Sequence, residues 1–303
     1  MKKGKLYIWF MIMLVMLVGC AQSKLVVGRE ETGESVSCNQ EDVDRVGADR
    51  ENVDEQGADH EIIVLYTNDV HCAVSENISY EGVARYRDEC LSQTPYVALV
   101  DAGDFIYTDG YKDESRGEDI INIMGQVGYD MCVPGNHEYE YGKERFLELA
   151  DVSPVPFVAC NYDGLDDYML MDYGQISVAF VGVTTPLYIG GYKDCFYERV
   201  QTCVDEVRSL GADYVILVAH LGDKDRYGMY SSIETARHTS GIDVILDGHA
   251  HHVLDGFSVE NQLGEQVLIS STGSRLEYIG RLTIDVDGSI TQELISKEYF
   301  QNK

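Results

Sequence analysis

The chain has 303 residues and is strongly acidic, with 52 Asp and Glu residues against 23 Lys and Arg residues. Residues 62–303 alone carry 40 acidic and 16 basic residues, which gives this part a net charge of −24. Such a negative field repels nucleic-acid polymers and excludes them as partners. Small phosphorylated molecules remain compatible with it where metal ions supply local positive charge.

The first residues predict an export signal. Three lysines within the first five residues precede an apolar run at 6–18, which is too short to span a bilayer comfortably. The run ends in LVGC, residues 17–20, which resembles a bacterial lipobox. This resemblance implies cleavage before Cys20 and lipidation of its thiol, and the alternatives are an uncleaved signal anchor or an ordinary secretory signal. We expect residues 1–19 to be a lipoprotein signal peptide and the protein to be lipid-anchored on the extracytoplasmic side of the cell membrane.

The next segment is acidic and poor in apolar residues. Residues 29–61 contain twelve acidic and three basic residues, no aromatic residue, and a near-repeat, VDRVGADRE followed by VDEQGADHE. Such a stretch buries too little apolar surface to offset its ordering entropy, and its like charges favour an extended chain. We therefore expect residues 20–60 to form a disordered tether. The alternative, a calcium-binding repeat, lacks the oxygen-ligand spacing of a known calcium loop.

The remaining part, residues 61–303, has the length of one large α/β domain. Runs rich in Val, Ile and Tyr alternate with segments of helical spacing, and the pattern turns to strands after residue 252. This order predicts mixed α/β layers with an antiparallel C-terminal part. The predicted strands are 62–66, 96–100, 130–133, 156–160, 176–181, 214–218, 242–246, 266–270, 280–286 and 290–299. The predicted helices are 80–91, 118–127, 143–150, 198–210 and 232–239.

The cysteines do not suggest a metal site. Seven remain if Cys20 is lipidated, an odd number at scattered spacings, and no two have CxxC spacing. Cys132 and Cys160 lie inside apolar runs, and we expect them to be small buried hydrophobic residues.

Polar residues follow five of the predicted strands directly. These strands run into TNDVH, DAGD, PGNHE, AH and DGHAHH. Because ligands bind at the carboxyl ends of strands in α/β sheets, these residues are predicted to meet in one site. In the D-x-H and H-x-H pairs, the two side chains share a face of extended backbone and can bind one ion. The residues so placed are Asp69, His71, Asp104, Asn136, His220, His249 and His251.

The donor types of these seven residues favour a pair of transition-metal ions. Imidazole with carboxylate suits Zn, Mn or Fe better than Ca or Mg. If one carboxylate bridges two divalent ions, each ion receives roughly four protein ligands, and the pair can clamp the attacking and leaving oxygens of a phosphoryl displacement. The alternative interpretations are polar turns and a surface histidine cluster that binds metal without purpose.

The series NDVH, GD at residues 103–104, GNHE, the histidine after the strand at 214–218, and GHAH resembles the calcineurin-like metallophosphoesterases in order and spacing. It is most similar to the catalytic domain of bacterial exported 5′-nucleotidase and 2′,3′-cyclic-nucleotide phosphodiesterase proteins, over about residues 61–287. The resemblance implies a four-layer α/β/β/α sandwich with two mixed sheets. It also implies a metal-dependent phosphoesterase that acts on phosphate mono- or diesters, with nucleotide-like small molecules as substrates.

The resemblance also implies a role for each candidate residue. His137 would stabilise the phosphoryl oxygens or protonate the leaving oxygen. Glu140 stands where nucleotidases of the family usually have Asp, and its longer side chain can still accept the imidazole N–H of His137. Asp101 would be structural. The first ion would be held by Asp69, His71 and His251, the second by Asn136, His220 and His249, with Asp104 bridging.

Substrate specificity is open at this point. Long members of the family carry a second domain that holds the nucleotide, and we expect none here. Tyr107, Tyr111 and Tyr139 lie near the motif loops and are candidates for stacking on a base, with packing as the alternative. Two other functions remain: a 5′-nucleotidase completed by a partner chain that supplies the second domain, and a non-catalytic lipoprotein that binds phosphate ligands. The sequence does not indicate an oligomeric state.

Overall fold

The computed structural model of the protein describes residues 25–28, 60–106, 114–223 and 225–301. The predicted signal peptide, Cys20, most of the predicted tether, Tyr107 and Tyr111 lie outside the described residues. Within the described ranges, no helix combines the length and the apolar character that a membrane crossing requires.

The strands form two mixed sheets. In chain order the described strands are β1 (Leu25–Gly28), β2 (Ile62–Thr67), β3 (Val97–Asp101), β4 (Met131–Cys132), β5 (Tyr168–Tyr173), β6 (Ile176–Thr184), β7 (Tyr214–His220), β8 (Val244–Asp247), β9 (Val253–Glu260), β10 (Gln266–Thr272), β11 (Tyr278–Ile284) and β12 (Ile290–Ser296). One sheet has the order β1-β5-β6-β7-β8-β10-β9 and the other β12-β11-β2-β3-β4. The parallel pairs β6 with β7, β7 with β8 and β8 with β10 form the centre of the seven-stranded sheet, and the parallel pairs β2 with β3 and β3 with β4 form one side of the five-stranded sheet.

The described α-helices are α1 (Ser79–Leu91), α2 (Glu118–Val127), α3 (Lys143–Val152), α4 (Phe196–Ser209), α5 (Ser232–His238) and α6 (Lys297–Gln301). Local signals explain two of their ends. Helix α2 ends at Gly128, whose φ of 90° lies in the left-handed region that glycine adopts at helix C-termini. Helix α5 begins after Ser231, whose side chain accepts the backbone N–H of Glu234.

Side-chain alternation along the strands divides the apolar residues among three cores. In β2, Ile63 and Leu65 pack with the residues of α1, α2 and α3, whereas Val64 packs between the two sheets. Phe180 of β6 belongs to the same middle core. Val204 of α4 packs in a third core against the outer face of the seven-stranded sheet. The layers are therefore α/β/β/α with two mixed sheets, and the predicted fold is confirmed.

The strand predictions differ from the structure in several places. Residues 156–160 do not form a strand: their backbone bonds go first to Cys132 in β4 and then to Gly182 in β6. The segment crosses from one sheet to the other, so no ladder develops. Strands β5 and β9 were not predicted. The last predicted strand, 290–299, ends at Ser296, and the chain continues as α6.

Four residues of the predicted tether belong to the fold. Leu25–Gly28 pair antiparallel with β5 and form an edge strand of the seven-stranded sheet. The prediction that all of 20–60 is a tether is therefore wrong for this segment. The acidic composition that predicts a tether belongs to residues 29–61. LVVG, in contrast, is an apolar stretch that can pair with the free backbone groups at the edge of β5. The other domain boundaries stay predictions.

The described cysteines are free thiols except for one. Cys132 and Cys160 are buried and free, as expected. Cys195 is disulfide-bonded.

Candidate metal centre

The predicted ligand residues lie at or just beyond the carboxyl ends of the parallel strands β2, β3, β4, β7 and β8. Their donor atoms form two groups, and within each group the atoms lie within 4.8 Å of one another. The first group is Asp69, His71, Asp104 and His251, and the second is Asp104, His220 and His249. The carboxylate of Asp104 is common to both, as a bridging ligand requires.

In the first group, two imidazoles converge on one carboxylate. The Nε2 atoms of His71 and His251 are 2.9 Å apart. They lie 3.8 Å and 3.3 Å, respectively, from Oδ1 of Asp69. Oδ2 of Asp69 accepts the side-chain N–H of Asn68 at 2.7 Å and the backbone N–H of His249 at 2.9 Å. Two imidazole nitrogens and one carboxylate oxygen are a donor set that suits a transition-metal ion.

The second group contains an oriented histidine, and a buried acceptor, Asn136, lines the same cavity. Nδ1 of His220 donates to the carbonyl of Ala102 at 2.7 Å, which leaves Nε2 as the acceptor, 3.1 Å from Oδ2 of Asp104. Metal-binding histidines commonly have this tautomer. Oδ1 of Asn136 is buried and has no hydrogen-bond partner among the described residues, which costs free energy unless a cation binds it. These residues therefore fit a divalent ion.

Burial and neighbouring charges shift the pKa values of the second group. Burial lowers the pKa of His220, but the Asp104 carboxylate outweighs this effect and raises it to about 10. Burial opposes ionisation of Asp104, yet His220 and then His137 hold its pKa below the ordinary value. Burial and then the charge of His220 lower the pKa of His249 to about 3. Asp104 is thus ionised and His249 neutral, the states in which both bind metal, and a proton on His220 or a bound cation can balance the carboxylate.

Five of the seven residues have a left-handed backbone, with φ of 51° at Asp69, 48° at His71, 60° at Asp104, 74° at His249 and 57° at His251. Residues other than glycine rarely adopt this region, and each such residue costs about 1–3 kcal/mol. Strain of this kind clusters at functional sites, because the surrounding structure holds it in place.

Glu138 is a buried residue to which the sequence analysis gave no role. Burial first, and then the charge of Asp104, raise the pKa of Glu138 to about 7. Its carboxylate connects the loop after β3, which carries Asp104, to the loop after β4, which carries Asn136. Its position inside the GNHE motif was the one signal in the sequence. The carboxylate accepts the backbone N–H groups of Asp104 at 2.8 Å, Phe105 at 2.8 Å, Ile106 at 3.2 Å and Gly135 at 2.6 Å.

Gly135 is required by a close approach. A Cβ atom on this residue would overlap Oδ1 of Asp104 and lie 2.6 Å from the backbone nitrogen of Asp104. Its φ is not in the left-handed region. The glycine of the GNHE motif therefore lets one motif loop pass against the other.

Other buried polar side chains hold the remaining loops. Oδ1 of Asp101 accepts the N–H of Gly103 at 2.8 Å, so this residue is structural, as expected. Oδ1 of Asn68 accepts the N–H of Thr272 at 2.8 Å and connects the first motif to β10. Asp247, at the end of β8, accepts the backbone N–H groups of Leu221, Gly222 and Gly248.

His137 and Glu140 lie beside Asp104. The backbone N–H of His137 donates to Oδ1 of Asp104 at 2.8 Å, and its Nε2 is 4.0 Å from Oδ2. Nδ1 of His137 is 3.2 Å from Oε1 of Glu140, and the two side chains are 26% and 43% exposed. Glu140 is thus placed to orient the imidazole from the solvent side. The catalytic roles of both residues stay predictions.

The two groups open into a cavity of about 450 Å³, a size that suits a small molecule. Tyr139 is not among its lining residues and packs against Phe146, with ring centroids 5.8 Å apart. Leu187 and Tyr188 line the cavity and were not predicted. The described lining residues are Asp104, Asn136, His137, Leu187, Tyr188, His249 and His251.

A four-layer sandwich with two carboxylate–histidine groups at its strand ends defines a class of metallophosphatases. Residues 62–253 match the family described as calcineurin-like phosphoesterase. The match covers more than half of the chain, so the chain belongs to this family. The predicted family and the predicted class of enzyme, a metal-dependent phosphoesterase, are confirmed.

Several relatives are 5′-nucleotidases. A snake venom 5′-nucleotidase from Gloydius brevicauda is 26% identical over 273 residues, which cover 75% of this chain and 45% of the relative. The trifunctional nucleotide phosphoesterase protein YfkN from Bacillus subtilis (strain 168) is 24% identical over 75% of this chain and 18% of its own length. The structure of the 5′-nucleotidase precursor from Thermus thermophilus has a TM-score of 0.68 at 20% identity, covering 78% of this chain and 54% of that chain. The chain thus spans about half the length of the snake venom relative, and the structural similarity shows the fold.

Proposed function

We propose that the protein hydrolyses phosphate mono- or diesters of small, nucleotide-like molecules with the aid of two divalent metal ions. The observation that carries this proposal is the pair of donor groups that share Asp104. A carboxylate common to two groups holds two ions close together, the arrangement of two-metal phosphoester hydrolysis. Membership of the phosphoesterase family and the nucleotidase activity named for several relatives support the substrate class.

Each ion would have its own ligands besides the shared Asp104. The donor set suits Zn, Mn or Fe. Bound ions would polarise the phosphoryl group and favour ionisation of a water at neutral pH. Asp69, His71 and His251 would hold one ion, Asn136, His220 and His249 the other, and Asp104 both.

The proton on the leaving oxygen would come from His137. This residue lines the cavity, and its Nε2 lies on the side of the Asp104 carboxylate. Glu140, whose Oε1 lies 3.2 Å from Nδ1 of His137, would accept the proton on Nδ1 and so orient the ring. Glu138 keeps the loops of both ligand groups together through four backbone N–H groups.

An activity screen tests the function. Purified protein loaded in turn with Zn, Mn and Fe is assayed on nucleoside monophosphates, 2′,3′-cyclic nucleotides and simple phosphate esters. We expect turnover of at least one class, loss of it to near background in Asp104→Asn, and retention in the matched surface variant Asp285→Asn. If the loaded wild-type protein turns over none of these esters, the hydrolase proposal is contradicted, and phosphate-ligand binding without catalysis becomes the better account.

The proposal includes export and a lipid anchor at Cys20. The lysine-then-apolar order before Cys20 supports it, and the disulfide at Cys195 is consistent with an oxidising compartment. Cys20→Ala should release the protein from membranes or block its maturation, as measured by fractionation. Wild-type protein found in the cytosolic fraction would contradict export.

A further inference from the structure

Two adjacent apolar side chains stand exposed at the wall of the polar cavity. Leu187 and Tyr188, which we term the rim pair, are 41% and 65% exposed. The other described residues that line the cavity are five polar residues of the candidate site. The ring of Tyr188 lies edge-on to that of His249, with centroids 5.7 Å apart. The rim pair is therefore the apolar part of the described cavity wall, in contact with the metal-binding groups.

The loop that carries the rim pair is held by hydrogen bonds and by packing against the core. It follows β6, and the N–H of Gly190 donates to the carbonyl of Thr185 at 3.0 Å, closing a turn around the rim pair. The fully buried Asn161 clamps the start of the loop: its amide donates to the carbonyl of Thr184 at 2.7 Å and accepts the Thr184 N–H at 3.0 Å. Ile189 packs against the core formed with α1, α2 and α3. The rim pair is thus held outward on an anchored turn.

An anchored aromatic side chain is well suited to binding. A tyrosine has two side-chain torsions, so it offers a large contact area and loses little conformational entropy when a ligand covers it. A backbone that is already ordered reduces the cost of binding further. Single exposed hydrophobic residues are ordinary on protein surfaces. This pair differs because it is continuous with a cavity of about 450 Å³ that contains the candidate metal ligands.

We propose that the rim pair binds the aromatic part of the leaving group, a planar ring such as a nucleobase, which stacks on Tyr188 with Leu187 beside it. This inference rests on the proposed function, because the ring reaches the rim pair when the phosphoryl group of the same ester lies at the Asp104 groups. Every nucleobase has a π face, so stacking tolerates different bases. The site accordingly favours nucleotides over base-free phosphates and discriminates little among bases.

The kinetic test compares a nucleoside 5′-monophosphate with ribose 5-phosphate. The two esters share the phosphoryl group and the leaving oxygen and differ in the base. Tyr188→Ala should raise KM for the nucleotide ~10-fold and leave ribose 5-phosphate unchanged. Tyr188→Phe should retain the wild-type preference, and Leu187→Ala should lose part of it. The matched control is Leu263→Ala, at a position 69% exposed and outside the cavity, which should change neither substrate.

Two kinetic outcomes would overturn the subsite. Equal losses on both esters in Tyr188→Ala would mean that the ring merely positions His249. Unchanged kinetics on both esters would mean that the rim pair does not touch the substrate.

Calorimetry with adenosine separates this inference from the proposed function, because adenosine carries no phosphate and its binding needs no turnover. We expect adenosine to bind the wild-type protein and to bind Tyr188→Ala ~10-fold more weakly. Equal binding to both proteins, or none to the wild type, overturns the subsite even if phosphate esters are hydrolysed. Weakened binding in a protein that hydrolyses no ester supports the subsite and overturns the proposed function alone.

Discussion

At the scale of single residues, the first prediction concerns His137 and Glu140. Nδ1 of His137 lies 3.2 Å from Oε1 of Glu140. General acid catalysis is typically worth ~10²–10⁴-fold, and a leaving group that departs readily as an anion does not need it. His137→Ala should therefore lose most activity on a nucleoside monophosphate or alkyl phosphate and retain much of it on a nitrophenyl ester. Steady-state kinetics on both esters, with metal content measured alongside, provide the check.

Glu140 gives this assignment an internal control. Glu140→Gln should show the same selectivity more weakly, because the imidazole remains while the charge that supports its cationic form is lost. Glu140→Asp restores the residue usual in the family and should be tolerated. If His137→Ala loses both ester types equally with its metals still bound, the histidine stabilises phosphoryl charge instead of donating a proton.

Glu138 gives the second prediction. In Glu138→Gln, an NH2 group replaces one of the two carboxylate oxygens. The two backbone N–H groups that donate to that oxygen then face another donor. We expect the free energy of unfolding to fall by about 2–4 kcal/mol and metal affinity to weaken, because the loops of Asp104 and Asn136 separate. Chemical denaturation and metal titration measure the two effects. Glu140→Gln, at an exposed position two residues away, is the matched control and should leave stability within about 0.5 kcal/mol. A stable Glu138→Gln with full metal affinity would contradict the role of this carboxylate.

Strand β1 gives a prediction at the scale of secondary-structure elements. Deleting Leu25–Gly28 removes an edge strand and exposes the backbone groups of β5. We expect a loss of about 1–2 kcal/mol of stability and more self-association, measured by thermal melting and size-exclusion chromatography. Ester kinetics should not change, because β5 and β6 separate β1 from β7. Deletion of residues 31–34 is the control, and identical melting curves for both deletions would show that β1 contributes nothing.

The elements predicted well share a clear local signal. The predicted bounds of α2 match the structure, because an amphipathic run lies between two glycines. Strand β5 was missed because nearly all its residues are buried, so no polar residue alternates with its apolar ones. Strand β9 alternates, but Gly256, with φ of 70°, and a register shift opposite it interrupt the pattern. Residues 156–160 have strand composition and lack a continuous partner strand, which no local pattern reveals.

The candidate site could be predicted where polar residues come directly after a predicted strand. Asp104 and His220 come at the ends of strands, so their convergence follows from the parallel topology. Glu138 and the rim pair could not be assigned in this way. Their roles depend on which loop packs against which, as when Glu138 reaches the backbone after β3 from a loop after β4.

At the scale of the whole molecule, folding and metal binding should be coupled. A chain with a formal net charge of −29 concentrates carboxylate and imidazole donors at one edge of its sheets. Ions that bind the folded state alone raise its stability by about 2.7 kcal/mol at a concentration one hundred times the Kd. A chelator should therefore lower the melting temperature of the wild-type protein and leave that of Asp104→Ala unchanged. A wild-type melting temperature that the chelator does not move would count against a preformed site.

The metal content of the purified protein tests the central claim most directly. Mass spectrometry of protein loaded with Zn, Mn or Fe and freed of excess metal should find two ions per wild-type chain. Asp104→Ala should lose both, because its carboxylate belongs to both donor groups, whereas Asp285→Asn should retain both. One ion per wild-type chain, or two ions still bound in Asp104→Ala, would contradict the shared two-metal centre.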